Sequence, residues 1–184
     1  MVDKANITVA IEPGLLKKAR AVATLCELWE AGTGRLSVQV LQEFYLNVTQ
    51  KLVTPVARAT AREVVKTYGV WVRRATTVET LMRATEIADL ARISFWDALI
   101  VASAEEVAAE VLLSEDFNEG QAIAGIKVVN PLTDGPMGSA VHGGLYGVPG
   151  AALTRGLVVQ AVATETGSPN HALHARLARP RCRS

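Results

Sequence analysis

The feature that most constrains this chain is the run from Ser94 to Leu113. Its first part, Phe95 to Ala109, is apolar almost all round, with Ala98, Leu99, Ile100, Val101 and Ala102 in succession. A helix apolar on every side is stable only when other elements cover it. The second part, Val111-Leu112-Leu113, is a compact apolar run of the kind a strand buried on both faces requires. Ile126-Lys127-Val128-Val129 repeats that pattern. Helical segments alternating with short apolar strands predict an α/β fold, a short central parallel sheet with helices on both faces.

The other segments fit this scheme. Residues 14–31 carry Leu15, Ala19, Val22, Leu25, Cys26 and Trp29 at helical spacing, with Gly32 and Gly34 as stop signals. Leu36-Ser37 reads as a strand end followed by a helix cap, and the helix it opens runs from Val38 to about Leu52. Thr54-Pro55 predicts another helix start. Val70-Trp71-Val72 reads as a short strand. Thr76-Thr77-Val78-Glu79 has the form of a capping box for a helix to about Arg92, and Ser94-Phe95-Trp96-Asp97 resembles a second.

Charge divides the chain near Pro131 to Asp134. Residues 1–133 hold 14 basic and 16 acidic side chains, whereas residues 134–184 hold 5 arginines and 2 acids. All three histidines and 8 of the 14 glycines lie in the second part. Residues 1–133 therefore read as one α/β domain and 134–184 as a poorly ordered Gly/Ala/Arg-rich extension. Ala151 to Thr164 is the stretch of it apolar enough for a helix or strand. A misassigned reading frame would give such a tail too. The overall charge of +1 shows no general bias toward nucleic acid or membrane. No run reaches the roughly 18 apolar residues of a membrane span, and no signal peptide is visible. Cys26 and Cys182 lack metal-ligand spacing, which suits a reducing, cytoplasmic setting.

The chemistry left to residues 1–133 is that of carboxylates. This part has no histidine, no Gly-rich phosphate loop and no zinc constellation. In open α/β sheets ligands bind at the carboxyl ends of the strands. Asp97 falls in the first turn of the buried helix, and Asp116 just past Val111–Leu113. Glu43 lies on the helix after Ser37. Carboxylates gathered at one place repel one another unless a cation sits between them. Mg²⁺ and Mn²⁺ favour such oxygen ligands. Each acid also has a plainer reading: Asp97 as a helix cap, Asp116 as a turn residue and Glu43 as part of a solvated helix face. Spacing alone leaves both readings open. Trp96, at the start of a buried helix, is expected in the core rather than stacked on a base.

The segment from Leu36 to Leu132 resembles PIN-domain proteins of the VapC toxin type. The resemblance lies in Leu36-Ser37-Val38-Gln39-Val40-Leu41-Gln42-Glu43-Phe44-Tyr45, in Ile93-Ser94-Phe95-Trp96-Asp97-Ala98-Leu99-Ile100, and in Leu112-Leu113-Ser114-Glu115-Asp116-Phe117. Gly120 and Val128-Val129-Asn130-Pro131 follow in the same order. It implies a PIN-like fold and a Mg²⁺- or Mn²⁺-dependent endoribonuclease, the toxin of a toxin–antitoxin pair. Its partners would be an RNA substrate, a cognate antitoxin and a second copy in a homodimer. Asp3, Glu43, Asp97 and Asp116 would be the metal-binding catalytic acids, and Ser114 would support the site by hydrogen bonding.

The N-terminus departs from this pattern. The family opens with Val-Asp-Thr-Asn-Val-Leu, whose Asp is the first ligand. Here Val2-Asp3-Lys4-Ala5-Asn6-Ile7 keeps the Asp but replaces the next two residues with Lys4 and Ala5. A displaced start or an upstream frameshift would produce the same departure. The alternative expectation is a catalytically impaired PIN-fold module that still pairs with an antitoxin or with itself. A phosphoacceptor domain is a third reading, but it calls for a lysine that ends a late strand, and Lys127 opens its strand.

Overall fold

The computed structural model describes residues 13–133 and 151–153, without the side chains of residues 13–16, 18 and 151. Five helices and five strands occur in that part: α1 (Pro13–Ala31), β1 (Gly34–Arg35), α2 (Val38–Leu46), α3 (Arg58–Tyr68), α4 (Val78–Ala91), α5 (Phe95–Glu106), β2 (Val111–Leu113), β3 (Ala122–Ile123), β4 (Ile126–Val129) and β5 (Ala151–Leu153). The chain is an α/β protein. Asp3 lies outside the described residues.

The strands form one sheet in the order β1-β5-β2-β4-β3. β1, β5, β2 and β4 are mutually parallel, whereas β3 runs antiparallel to β4. The expected parallel centre therefore has an antiparallel edge. The reason is local: only Ala124 and Gly125 join β3 to β4, with φ of 50° and 80°. Two-residue hairpins use positive φ, and a link this short cannot make a parallel crossover.

Successive residues of a strand face opposite sides of the sheet. Leu112 and Leu113 are both fully buried, and so nearly are Val128 and Val129. Both faces of the sheet centre are thus covered. α1 packs against β1, α5 against β4, and α4 lies along α5. Arg20 of α1 also donates to the Leu132 carbonyl beyond β4 at 2.8 Å.

β5 comes from the stretch 151–164 that sequence pattern marked as helix or strand. It fills the slot between β1 and β2, with Ala151 opposite both Gly34 and Val111. Ala152 and Leu153 are buried there. Three residues from beyond the compositional boundary are therefore part of the sheet.

Several local expectations are corrected. Val70-Trp71-Val72 is not a strand: Gly69–Trp71 is a 3-10 turn. Trp71 is buried in an aromatic cluster with Trp29 and Tyr68, at centroid distances of 5.4 and 5.1 Å, and its carbonyl accepts from Leu36 N–H. This cluster also explains Gly34, because a Cβ there would lie 2.6 Å from the Trp71 ring. α3 starts at Arg58 rather than at Thr54-Pro55. Buried Val56 donates its N–H to Val48 O at 2.8 Å, which holds the preceding segment outside the helix. The cap of α4 is Thr77 with Thr80, one residue later than the Thr76/Glu79 reading. α5 ends at Glu106 rather than Ala109.

Candidate functional site

Ser37 caps α2 by accepting from Val40 N–H at 3.2 Å, directly after β1, so α2 starts at the carboxyl end of that strand. Asp116 follows β2 at the same end of the sheet. α5 leads through a short loop into the amino end of β2. Its twelve residues span ~18 Å at 1.5 Å per residue, enough to carry its N-terminus back past the carboxyl end of the three-residue strand. The first turn of α2 and the turn bearing Asp116 thus lie at the carboxyl rim of the sheet, where α/β sheets bind ligands.

Hydrogen bonds join two of these places. Gln39, in the first turn of α2, donates from Nε2 to Glu43 Oε1 at 2.8 Å and to the Trp96 carbonyl at 3.1 Å. The Glu43 carboxylate is therefore tied to the first turn of α5, next to Asp97. On α5, Ser94 Oγ accepts from Asp97 N–H at 3.1 Å and donates to Asp97 Oδ2 at 2.7 Å. Glu43 and Asp97 are both half-buried. The positive end of the α5 helix dipole favours carboxylates at this point.

Asp116 is held differently. Ser114 is fully buried, and its Oγ accepts from Asp116 N–H at 3.0 Å. Ser114 also donates its own N–H to Val129 O at 3.0 Å. The serine thereby fixes the turn that carries Asp116, while the Asp116 side chain is exposed. Next to it, Glu115 pairs with Lys17 of α1 at 3.8 Å.

Among the described residues, no three His, Cys, Asp or Glu side chains gather closely enough to hold a metal ion. What forms is a helix-borne pair of places, Glu43 and Asp97, with Asp116 at the same end of the sheet. Carboxylate oxygens are the ligand type that Mg²⁺ takes, but they are not gathered into a metal-binding group among the described residues.

Trp96 is a correction. Expected in the core, it is 62% exposed, with Phe95 edge-on to it at 5.5 Å. The buried face of α5 begins at Ala98, so the first turn projects beyond the packed layer. Gln39 was not singled out from the sequence. The signal was present in its spacing, because side chains four apart on a helix are neighbours. Comparison with known protein families, with curated proteins and with solved structures found no match in any of the three.

Proposed function

We propose that this protein is a divalent-metal-dependent endoribonuclease with a PIN-like fold, the toxin component of a toxin–antitoxin pair. The observation that carries this reading is the Gln39 link, which holds the Glu43 carboxylate beside the α5 turn bearing Asp97 at the carboxyl end of the sheet. The order of acidic motifs from Leu36 to Asn130 supports it. Glu43 and Asp97 would hold Mg²⁺ or Mn²⁺, with Asp116 completing the donors from the β2 side. A bound ion of this kind polarises a phosphodiester and lowers the pKa of its water. The protein's own part is to fix the carboxylates before substrate arrives: Ser94 orients Asp97, Gln39 orients Glu43, and Ser114 shapes the turn of Asp116. Exposed Val78, Leu81 and Met82 on α4 offer an apolar surface suited to an antitoxin or a second copy in a homodimer. No helix among the described residues is long and apolar enough to cross a membrane, which is compatible with the proposed cytoplasmic setting.

The test is cleavage of an RNA substrate with Mg²⁺ by the wild-type chain, Asp97→Asn and Asp116→Asn. Loss in both variants is expected, and unchanged Mg²⁺-dependent cleavage in either sinks the assignment.

A second reading, a PIN-fold binding module without catalysis, is favoured by β5. The slot between β1 and β2 is filled by Ala151–Leu153, which bring no carboxylate to the rim. A further strand carrying an acid would have to displace β5 or add at an edge. Wild-type protein that captures a partner yet binds no Mg²⁺ or Mn²⁺ at millimolar concentration would select this reading.

A further inference from the structure

Residues 51–74 hold 6 Lys and Arg side chains and 1 acid, whereas the rest of residues 1–133 holds 8 basic and 15 acidic ones. Much of that positive charge lies on α3. Ala61, Val64 and Tyr68 bury one face of the helix, and its exposed residues are Arg58, Ala59, Arg62, Glu63 and Lys66. Arg58, Arg62 and Lys66 stand four apart in sequence, so they line one side of the helix in a row, with ~6 Å of axis between successive members.

This row does not serve the fold. Like charges four apart on a helix destabilise it. Arg58 stands in the first turn, where the helix dipole disfavours a cation, and that turn has no acid. Lys66, in the last turn, is the one member that suits the dipole. Among the described residues none of the three forms an ion pair, not even with Glu63 on the same helix. Positive charge is also crowded beyond the helix. The Trp71 carbonyl accepts from Leu36 N–H, which brings the segment after α3 alongside β1. Burial there, and then the nearby Arg73 charge, hold Arg35 below the ordinary arginine value.

Uncompensated positive charges in a row match a ligand with negative charges in a row. Successive phosphates of an extended nucleic-acid strand are spaced comparably to these side chains. An anionic membrane fits less well, since helices that bind bilayers carry large apolar residues beside their cations, and the exposed face of α3 has only Ala59. A protein partner fits less well too, because protein interfaces are anchored by aromatic and apolar groups at their centre. We infer that the Arg58–Arg62–Lys66 face of α3 binds the phosphate backbone of a single-stranded nucleic acid. With no aromatic among its exposed residues to stack on bases, it holds the strand without reading its sequence. None of these residues is a rim acid, and the inference does not rest on the metal-dependent reading.

Fluorescence anisotropy of a labelled single-stranded RNA oligomer of mixed sequence tests it, with the full chain in EDTA so that no metal-dependent cleavage occurs. Binding should weaken with salt. The slope of log affinity against log salt should lose about 0.7 in each of Arg58→Gln, Arg62→Gln and Lys66→Gln, and about 2 in the triple variant. Lys127→Gln removes the same charge at an exposed position outside α3 and should leave the slope unchanged. Relieved of mutual repulsion, the triple variant should melt no lower than wild type, which separates loss of binding from loss of fold. The single variants carry the same test in smaller steps.

Wild-type slopes in all of the α3 variants, an equal loss in Lys127→Gln, or a wild type that binds no oligomer overturns the inference. So does tighter binding of poly-glutamate or of phosphatidylserine vesicles, which would assign the row to an acidic protein or to a membrane. Oligomer binding that depends on the row, without any Mg²⁺-dependent cleavage, upholds this inference while the nuclease reading fails. Cleavage with binding indifferent to the row does the reverse.

Discussion

The helix side and the strand side of the rim hold their acids in different ways. On the helix side, side-chain hydrogen bonds reach the carboxylates themselves: Gln39 to Glu43, and Ser94 to Asp97. On the strand side, Ser114 grips the backbone N–H of Asp116 and leaves the carboxylate in solvent. The first arrangement fixes oxygens in advance, while the second fixes only the loop that delivers one. Preorganised groups lose little on binding, so under the proposed metal-dependent function the helix side should dominate ion affinity and the strand side should complete the site.

The largest expected effect concerns the strand side. Removing residues 134–184 takes away β5 and opens the slot between β1 and β2. The loss should exceed the ~2–5 kcal/mol that truncating one buried leucine costs, since Leu153 and two rows of backbone pairing go together. Chemical denaturation measures it, and an unchanged midpoint would show that β5 is dispensable.

Next come the acids. Asp97→Asn and Glu43→Gln should each lower Mg²⁺-dependent cleavage about 10²-fold or more, equivalent to ~2.7 kcal/mol or more in barrier. Asp116→Asn should fall by about tenfold. The reverse order would break the comparison.

The two serines sharpen it. Ser94→Ala and Ser114→Ala should cost similar stability, of order 1 kcal/mol each. Their effects on ion affinity should diverge. Ser94→Ala frees a carboxylate and should weaken Mn²⁺ binding by about tenfold or more, whereas Ser114→Ala should change it by only a few-fold. Equal effects on binding would mean that contact with the carboxylate does not matter.

The smallest effect lies away from the rim. Arg83 of α4 donates to Glu105 of α5 from Nε at 2.7 Å and from Nη2 at 2.9 Å. Arg83 holds the Glu105 carboxyl below its usual value of 4.5, chiefly through these hydrogen bonds. A depressed carboxyl stabilises the fold above its unfolded pKa, and that contribution fades as pH falls through the folded one. Glu105→Gln should therefore reduce the acid sensitivity of the melting temperature slightly, below about pH 4.5. Metal binding near neutral pH should not change.

How much of this could be read from residues follows from how local each feature is. α5, β2 and β4 were legible because an all-round apolar helix and short apolar strands have few other solutions. Val70-Trp71-Val72 was misread because three apolar residues suit a strand or a turn equally. A distant partner, the Trp29–Tyr68 cluster, decided it. β5 was beyond reach, since Ala-Ala-Leu says nothing about which slot it will fill. Glu43, Asp97 and Asp116 could be named from motif order. That Gln39 joins α2 to α5 could not, because the bond to Trp96 spans 57 residues.

The most direct measurement is paramagnetic broadening of the backbone amide signals of the full-length chain by substoichiometric Mn²⁺. Signals from residues 39–43 and 94–97 should broaden first, with those of 114–117 close behind. Uniform weak broadening across the molecule, or selective loss at some other surface, would contradict it.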